Sequence, residues 1–308
     1  MNLTPNKSFL KVYNVVIKFQ KYKSNTDTTS NYCLESVKKY DYENFMCTLL
    51  LKGKARTNAF AIRSFNVEVS RVAEQVTQST MGLLRMKFWE EMINSCYSKD
   101  FNKVPHHPVA IELYKAITDS KLTKRYFENL IKSRTERFID SSFLDLEAIE
   151  QHSEKSLSNV YYLLLEGCGV KNVNADHAAS HLGKAQGLVQ QLRSTPLTKK
   201  LNFIPLPQNL LVKHNITHEE LIRCIPSERL CDCSFEIASR AHQHLRKARS
   251  LSSTVPHEGQ GALLPAVVVD NYLERLQKVD YNIFHADLQS QTFGWLAKLW
   301  FANFLKKY

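Results

Sequence analysis

Glycine and proline are scarce in this 308-residue chain, with nine of each. β-Sandwiches and barrels need many tight turns and usually contain more of both, so the composition favours helices. The strings GxGxxG and GxxxxGK followed by Ser or Thr are absent, which argues against Rossmann and P-loop proteins. No apolar run reaches the roughly 18 residues of a transmembrane helix. Hydrophobic residues at 44% and charged residues at 23% exclude disorder, collagen and coiled coil for the whole chain.

Metal-binding and disulfide patterns are also missing. The seven cysteines are scattered, without a CxxC pair, and their odd number argues against a disulfide framework. Reduced thiols fit a cytosolic or mitochondrial matrix interior. Cys231 and Cys233 lack a second pair, and His177 and His181 share a helical face but lack a third ligand. We therefore predict no metal site and no cofactor.

Basic residues outnumber acidic ones by 41 to 30, a formal net charge of +11. That excess favours an anionic partner, which can be nucleic acid, acidic lipid, a diphosphate or an acidic protein. No zinc finger, RNP string or basic-helix pattern is present, so we expect no nucleic-acid partner.

The amino-terminal segment has five lysines and no acidic residue in its first 26 positions. On a helix, Lys7, Lys11, Lys18 and Lys21 fall in one arc of roughly 80°, and apolar residues fill the rest. A basic amphipathic helix of this kind is typical of a mitochondrial presequence. We predict a presequence and linker over residues 1–30; the alternative is a surface helix of the fold.

The rest of the chain, residues 31–308, is helical in pattern, and strand alternation is sustained nowhere. We predict a single all-α domain. The predicted helices are 32–51, 58–77, 82–96, 108–117, 121–139, 145–165, 174–192, 218–224, 231–250 and 263–279.

The carboxyl-terminal segment 293–305 (FGWLAKLWFANFL) is apolar almost all round but too short to span a bilayer. One interpretation is a helix that closes the core. The other is an interfacial anchor, with Trp295 and Trp300 at headgroup level and Lys306 and Lys307 on anionic lipid. The two can coexist on one helix.

Four segments resemble the squalene/phytoene synthase family. They are 58–70, 84–117, 182–207 (LGKAQGLVQQLRSTPLTKKLNFIPLP) and 264–284 (LPAVVVDNYLERLQKVDYNIF), and the last two are the specific ones. They occur in the family's order over most of residues 32–290. The resemblance implies an isoprenoid-synthase-like helical domain with a central cavity.

Family members carry two DxxxD motifs, whose carboxylates hold Mg²⁺ ions that bridge to the substrate diphosphate. In this chain the matching positions are Asn66 and Ser70 in the first motif, and Ser194 and Thr198 in the second. No Asp or Glu occurs between His177 and His218. An amide or hydroxyl does not replace the lost charge, so we expect no prenyl transfer and no enzyme activity.

Basic residues remain where the acidic ones are gone. Arg63, Lys184 and Arg193 can line the cavity and hold a prenyl or lipid phosphate without metal. The alternative is that they pair with helix carboxylates such as Glu68 or Glu112, or lie at the surface.

The runs 176–187 and 238–250 resemble a mitochondrial branch of the family that takes part in building respiratory complex I. That resemblance implies complex I subunits or assembly intermediates as partners, and a peripheral position at the matrix face of the inner membrane. The alternatives are an isoprenoid or lipid diphosphate-binding protein, including a lipid carrier, and a transferase of non-standard mechanism.

Overall fold

The computed structural model describes residues 28–201, 203–290 and 294–308. Across those ranges every regular element is a helix, which confirms the all-α prediction. The proposed presequence falls largely on residues 1–27, which lie outside the described residues, so it stays a prediction.

Seventeen helices follow one another in the described ranges. They are α1 Thr28–Tyr40, α2 Tyr42–Leu49, α3 Gly53–Arg71, α4 Ser79–Cys96, α5 Pro108–Ser120, α6 Lys124–Ile139, α7 Leu146–Ser153, α8 Asn159–Gly167, α9 Val173–Ser194, α10 Thr198–Leu201, α11 Gln208–Lys213, α12 His218–Ile222, α13 Glu228–Ser250, α14 His257–Gln260, α15 Pro265–Lys278, α16 Ala286–Gln289 and α17 Gly294–Leu305. A π-helical turn, Glu154–Ser158, joins α7 to α8, and 3₁₀ turns follow α3 and α9.

Local sequence sets several of these boundaries. Pro108 begins α5, where the Nδ1 atom of His107 accepts a hydrogen bond from the Val109 amide. The side chains of Asp145 and Asn172 cap α7 and α9 in the same way. Gly169 has a φ of +77°, a conformation that glycine adopts without strain, so the chain leaves α8 there as its Gly-Cys-Gly sequence predicts.

The prediction of one helix over 32–51 is wrong, because the chain breaks at Asp41 between α1 and α2. The backbone of Asp41 is not helical, and its carboxylate accepts two hydrogen bonds from Asn44 at 2.9 and 3.1 Å. These bonds join two side chains, and the carboxylate does not cap the α2 backbone.

Two long helices, α3 and α9, form the centre of the core on either side of α8. The α3 side chains of Ile62 and Phe65 and the α9 side chains of Leu182 and Leu188 are all 0% exposed. Burial of each contributes about 1.5–3 kcal/mol to the hydrophobic free energy of folding. The surrounding layer consists of α1, α5 and α6 next to α3, and of α7, α13 and α15 next to α9.

Glycine lets α9 approach the turn between α7 and α8 closely. A Cβ atom added to Gly183 would lie 2.7 Å from the backbone nitrogen of Ser158, and one added to Gly187 would lie 2.6 Å from the Ser153 Cβ atom. No larger residue fits at either position without movement of the neighbouring chain. Among the described helices, none combines the length and hydropathy needed to cross a membrane.

Candidate functional site

A polar cavity of about 230 Å³ lies between α3, α6, α8 and α9. Helix α3 contributes one face of it, with Arg63, Asn66, Ser70 and Arg71 following one another at helical spacing. The remaining lining comes from the α1–α2 junction, from Glu74 and Arg134, and from the α8 and α9 sides: Tyr40, Asp41, Asn44, Glu74, Arg134, Leu157, Val160, Tyr161, Gln186 and Gln190. We call it the arginine cavity.

The two positions matched to the first acidic motif both line this cavity, and neither presents a charged oxygen to it. The Oδ1 atom of Asn66 accepts a hydrogen bond from the Arg134 guanidinium at 2.5 Å. Ser70 is exposed, and its hydroxyl donates to the Val67 carbonyl at 2.9 Å. Mg²⁺ needs charged oxygen ligands, so a guanidinium bound to a neutral amide does not fit a magnesium site.

Three guanidinium groups line the cavity with few partners. Arg63 is 4% exposed, its Nε has no hydrogen-bond partner among the described residues, and its ion pair with Asp41 spans 3.9 Å. The buried Nε of Arg71 likewise has no partner in the described ranges and lies 3.9 Å from a Glu74 oxygen, while its guanidinium lies 3.5 Å from the Tyr40 ring centre. The cavity therefore contains two buried arginine Nε donors that the described part of the chain does not satisfy.

Arg134 makes hydrogen bonds to the Leu130 carbonyl at 2.9 Å and to Asn66. In the described part of the chain no carboxylate forms an ion pair with it. Burial lowers the pKa of Arg134 to about 10, so the group remains a cation at neutral pH. The charge of Arg134 also affects His152. Burial is the largest cause that lowers the pKa of His152 to about 3, and the positive charges of Arg134, Arg137 and Lys155 add to it.

Two carboxylates face the same cavity. Burial raises the pKa of Asp41, and the neighbouring Arg63 and Asn44 only partly oppose that effect. The side chain of Glu74 is 69% exposed. Three arginines against these two acids leave the cavity positively charged.

The positions matched to the second motif use their oxygens within the chain. The hydroxyl of Ser194 donates to the Gln191 carbonyl at 3.1 Å. Thr198 is buried, and its hydroxyl donates to the Thr195 carbonyl at 2.6 Å. Neither residue lines the arginine cavity. This segment therefore offers no charged ligand for a metal either.

Of the three basic residues that the sequence points to, the structure places only Arg63 in the arginine cavity. The guanidinium of Arg193 binds the Glu43 carboxylate at 2.7 and 3.3 Å and borders a separate cavity of about 180 Å³. Lys184 pairs with Glu154 at 3.6 Å. Their carboxylate partners are thus Glu43 and Glu154, not Glu68 or Glu112.

Sequence reasoning missed Arg71 and Arg134. Arg71 lies eight residues after Arg63 on α3, two turns along one helical face, so its spacing was a usable signal. Arg134 comes from α6, and nothing in the sequence indicates that it would lie against Asn66.

A second polar cluster joins α7, α9 and α13, and we call it the histidine–glutamate network. Glu150 accepts hydrogen bonds from Arg240 at 2.5 and 3.2 Å and lies 3.1 Å from His244, whose other ring nitrogen is 2.9 Å from His181. Burial alone would raise the pKa of Glu150, but His244 and Arg240 lower it to about 2. Arg240 and His244 thus both lie close to Glu150, although the approach of His244 Nε2 at 3.1 Å does not have hydrogen-bond geometry.

The suggested metal ligands do not come together. His181 pairs with His244, whereas His177 is exposed. Burial raises the pKa of the Cys233 thiol to about 12, which keeps it protonated. Within the described ranges, no group of three or more His, Cys, Asp or Glu side chains is arranged to hold a metal ion.

Helix α17 has one buried and one exposed apolar face. Trp295 and Leu299 pack against Cys47, Leu264 and Val267. Four residues on the other side are 41–68% exposed: Trp300, Phe301, Phe304 and Leu305. The next two residues, Lys306 and Lys307, are exposed as well. The core role predicted for this segment is therefore present, next to an aromatic surface that the described residues leave exposed.

Two known proteins that carry the same name are similar to this chain over most of its length. The chain is 38% identical to bovine "NADH dehydrogenase (ubiquinone) complex I, assembly factor 6" over 91% of its own length and 83% of that protein. It is 39% identical to the human protein of the same name over 86% of its length and 78% of that protein.

A solved structure supports the fold alone. The squalene synthase HpnC from Alicyclobacillus acidocaldarius has a TM-score of 0.73 at 15% identity, and the match covers 82% of this chain and 95% of that one.

The sequence profile of the squalene/phytoene synthase family matches residues 37–294, which is most of the chain. The helical architecture and the high similarity to curated relatives agree with that match. The chain therefore belongs to the squalene/phytoene synthase family, as its helical segments indicate.

Proposed function

We propose that this protein is a mitochondrial assembly factor for respiratory complex I that acts by binding, without catalysis. The observation that carries the proposal is the 38–39% identity to bovine and human complex I assembly factor 6 over most of each chain. The basic amphipathic pattern of residues 1–26 supports mitochondrial import. Its partners are subunits or assembly intermediates of complex I at the matrix face of the inner membrane.

Catalytic silence is supported by the geometry of the arginine cavity. A prenyl synthase of this family needs carboxylates to hold Mg²⁺ against the departing diphosphate. Here Asn66 accepts a hydrogen bond from Arg134, and the hydroxyls of Ser70, Ser194 and Thr198 each donate to a backbone carbonyl three residues earlier. No step of metal-assisted diphosphate departure can be assigned to these side chains.

Peripheral membrane contact is supported by α17. Exposed Trp300, Phe301 and Phe304 form a contiguous aromatic surface, with Trp300 and Phe304 stacked at 5.6 Å between ring centres. Lys306 and Lys307 follow directly, and basic residues next to aromatic ones suit an interface with anionic lipid.

Removal of the protein from its cells tests the assembly role. We expect assembled complex I to fall on native gels while the other respiratory complexes remain at their normal level, and re-expression of the chain to restore it. Normal complex I after complete loss would contradict the role.

Catalytic silence is tested separately on the purified full chain. Farnesyl diphosphate with Mg²⁺ should give no prenyl product. Steady turnover that is lost in Arg63→Gln would instead favour a transferase of non-standard mechanism, whatever the complex I result.

The membrane contact is tested by flotation with vesicles of phosphatidylcholine and cardiolipin. Replacement of Trp300 and Phe304 by Ser should reduce the bound fraction several-fold, because an exposed aromatic surface drives interfacial insertion. The matched control is Ile139→Ser, since Ile139 is 80% exposed and lies on α6. Equal losses in both variants would refute a role specific to α17.

A further inference from the structure

The second half of helix α13 belongs to a stretch of the chain without negative charge. No Asp or Glu occurs over residues 237–257. Two arginines in this range, Arg240 and Arg249, each form an ion pair with a carboxylate from a neighbouring helix. Arg246 and Lys247 are exposed, and in the described part of the chain no carboxylate forms an ion pair with either of them. Their charges are therefore available to a partner.

Tyr308 joins this part of α13 to the residues that follow α17. The side chain of Tyr308 is 5% exposed, and its hydroxyl donates a hydrogen bond to an α13 carbonyl at 3.2 Å. The Nε atom of Arg249 donates to the Tyr308 carbonyl at 3.1 Å. Arg246 lies one helical turn before Arg249. Because Lys306 and Lys307 directly precede Tyr308, two further cations lie at the same end of α13.

We define the basic surface as Arg246, Lys247, Lys306 and Lys307. All of them are exposed, and among the described residues none of them has an ion-pair partner. Clusters of about four to eight Lys or Arg on or beside an amphipathic helix are typical of binding to anionic lipid.

The neighbourhood of the basic surface distinguishes lipid from an acidic protein as its partner. The exposed aromatic residues of α17, Trp300 and Phe304, directly precede the two lysines. Aromatic side chains enter the headgroup layer of a membrane, and neighbouring basic groups then lie at the level of the lipid phosphates. An acidic protein would complement the charge but would leave this arrangement of aromatic residues unexplained.

We propose that the basic surface binds the phosphate groups of anionic phospholipids, with α13 supplying charge and α17 supplying apolar area. The proposal rests on the membrane contact proposed for α17, and it adds the class of lipid that the contact selects. Exposed charges act over a screening length of about 10 Å at 0.1 M salt, so these side chains need no enclosed pocket. Contact through two helices would also fix the orientation of the protein on the membrane.

The sharpest variant is the double change Arg246→Gln and Lys247→Gln. Because both side chains are exposed, we expect the fold and its thermal unfolding to stay unchanged. The matched control is Lys199→Gln with Lys200→Gln, which removes the same charge from two adjacent exposed residues of α10.

Flotation of the purified full chain measures the binding to vesicles of phosphatidylcholine alone and to vesicles that also contain cardiolipin. One basic residue near an anionic surface strengthens binding roughly fivefold. We therefore expect the α13 variant to lose at least about tenfold in affinity for the cardiolipin vesicles, with no loss for phosphatidylcholine alone. The control should bind both as the wild type does. Added salt should weaken cardiolipin binding more in the wild type than in the α13 variant.

The lysines of residues 1–26 are present in every protein compared, so they do not account for a difference between the variant and its control. Equal losses in the two would show a general effect of net charge and overturn the proposal. A loss that is the same with and without cardiolipin would overturn it as well.

The α17 variant, with Trp300 and Phe304 replaced by Ser, separates this proposal from the membrane contact itself. If that variant loses binding while the α13 variant keeps it, the contact through α17 stands and the basic surface has no part in it. If the wild type binds neither kind of vesicle, both fail. Normal vesicle binding by an α13 variant that no longer restores complex I would instead assign the basic surface to an acidic protein.

Discussion

Helix α9 contributes residues to both the arginine cavity and the histidine–glutamate network. The two regions differ in how closely their charged groups are paired. In the network, Glu150 lies within 2.5–3.2 Å of Arg240 and His244. In the cavity, the ion pairs of Arg63 and Arg71 both span 3.9 Å. Helix α9 contributes His181 to the network and, about one turn later, Gln186 to the cavity wall.

The difference separates groups that hold the fold together from groups that contribute less to its stability. A buried ion pair becomes strongly destabilising when one partner is removed, because the other charge is left uncompensated. Replacement of an arginine that has no close partner in the folded protein should lower the free energy of unfolding only a little. Stability should therefore depend more on the network than on the cavity.

The largest effect is expected for Glu150→Gln, which removes the negative charge that faces Arg240 and His244. We expect a loss of about 2 kcal/mol in the free energy of unfolding, below the value for a fully buried pair, because the Arg240 side chain is 41% exposed and water screens its charge. Arg63→Gln, in the cavity, should lose less, since its ion pair spans 3.9 Å and Asp41 keeps its two hydrogen bonds from Asn44. Urea denaturation monitored by circular dichroism compares the two.

Glu136→Gln serves as a control for Glu150→Gln, because Glu136 pairs with Lys155 at a position where both side chains are about 45% exposed. Such a surface pair contributes about 0–1 kcal/mol. Equal losses at Glu150 and Arg63 would remove the contrast between the two regions.

The next largest effect concerns the close packing of α9 against the turn that joins α7 to α8. In Gly183→Ala the new methyl group would lie 2.7 Å from the Ser158 backbone, and overpacking of this kind costs about 1–3 kcal/mol. Gly167→Ala is the matched control, since its nearest contact would be an ordinary 3.6 Å. Thermal unfolding should show a lower melting temperature for Gly183→Ala alone, and a similar fall in both would contradict the packing argument.

The effect that is smallest near neutral pH, and that grows with acidity, is a pH dependence that reaches from the cavity to His152. Burial and the positive charges of Arg134, Arg137 and Lys155 lower the pKa of His152 from 6.5 to about 3. The unfolded chain therefore takes up a proton below pH 6.5 that the folded protein does not, so stability falls as the pH falls from 6.5 toward 3. The limiting slope is about 1.4 kcal/mol per pH unit for one group.

Denaturation at successive pH values below 6.5 measures this slope, which should be shallower in His152→Gln. His177→Gln is the control, because the His177 side chain is exposed. An unchanged slope in His152→Gln would show that other groups cause the acid sensitivity.

Helix content and the positions of several helix ends could be predicted, because they depend on local features. Pro108, the caps at Asp145 and Asn172, and Gly169 act within a few residues of themselves. The break at Asp41 was missed because the apolar spacing continues across it, and only the contacts of its carboxylate show the change.

The candidate site was predictable in part for the same reason. The neutral residues Asn66 and Ser70, with Arg63 one turn before them, are visible on one helix. Arg134 approaches Asn66 from a helix 68 residues further along the chain, and no local pattern encodes that contact. Likewise, Arg193 looked free in the sequence but pairs with Glu43, 150 residues away.

The π-helical turn at Glu154–Ser158 fixes the rotation of α8, which lines the cavity, relative to α7, which carries Glu150. Such a turn holds one more residue than an α-helical turn, and each residue of an α-helix turns the chain by about 100°. Deletion of a single residue there would rotate α8 relative to α7 by that angle and carry Val160 and Tyr161 away from the cavity wall while Glu150 kept its partners. The wide turn thus fixes the angle between the face of α7 that carries Glu150 and the face of α8 that lines the cavity.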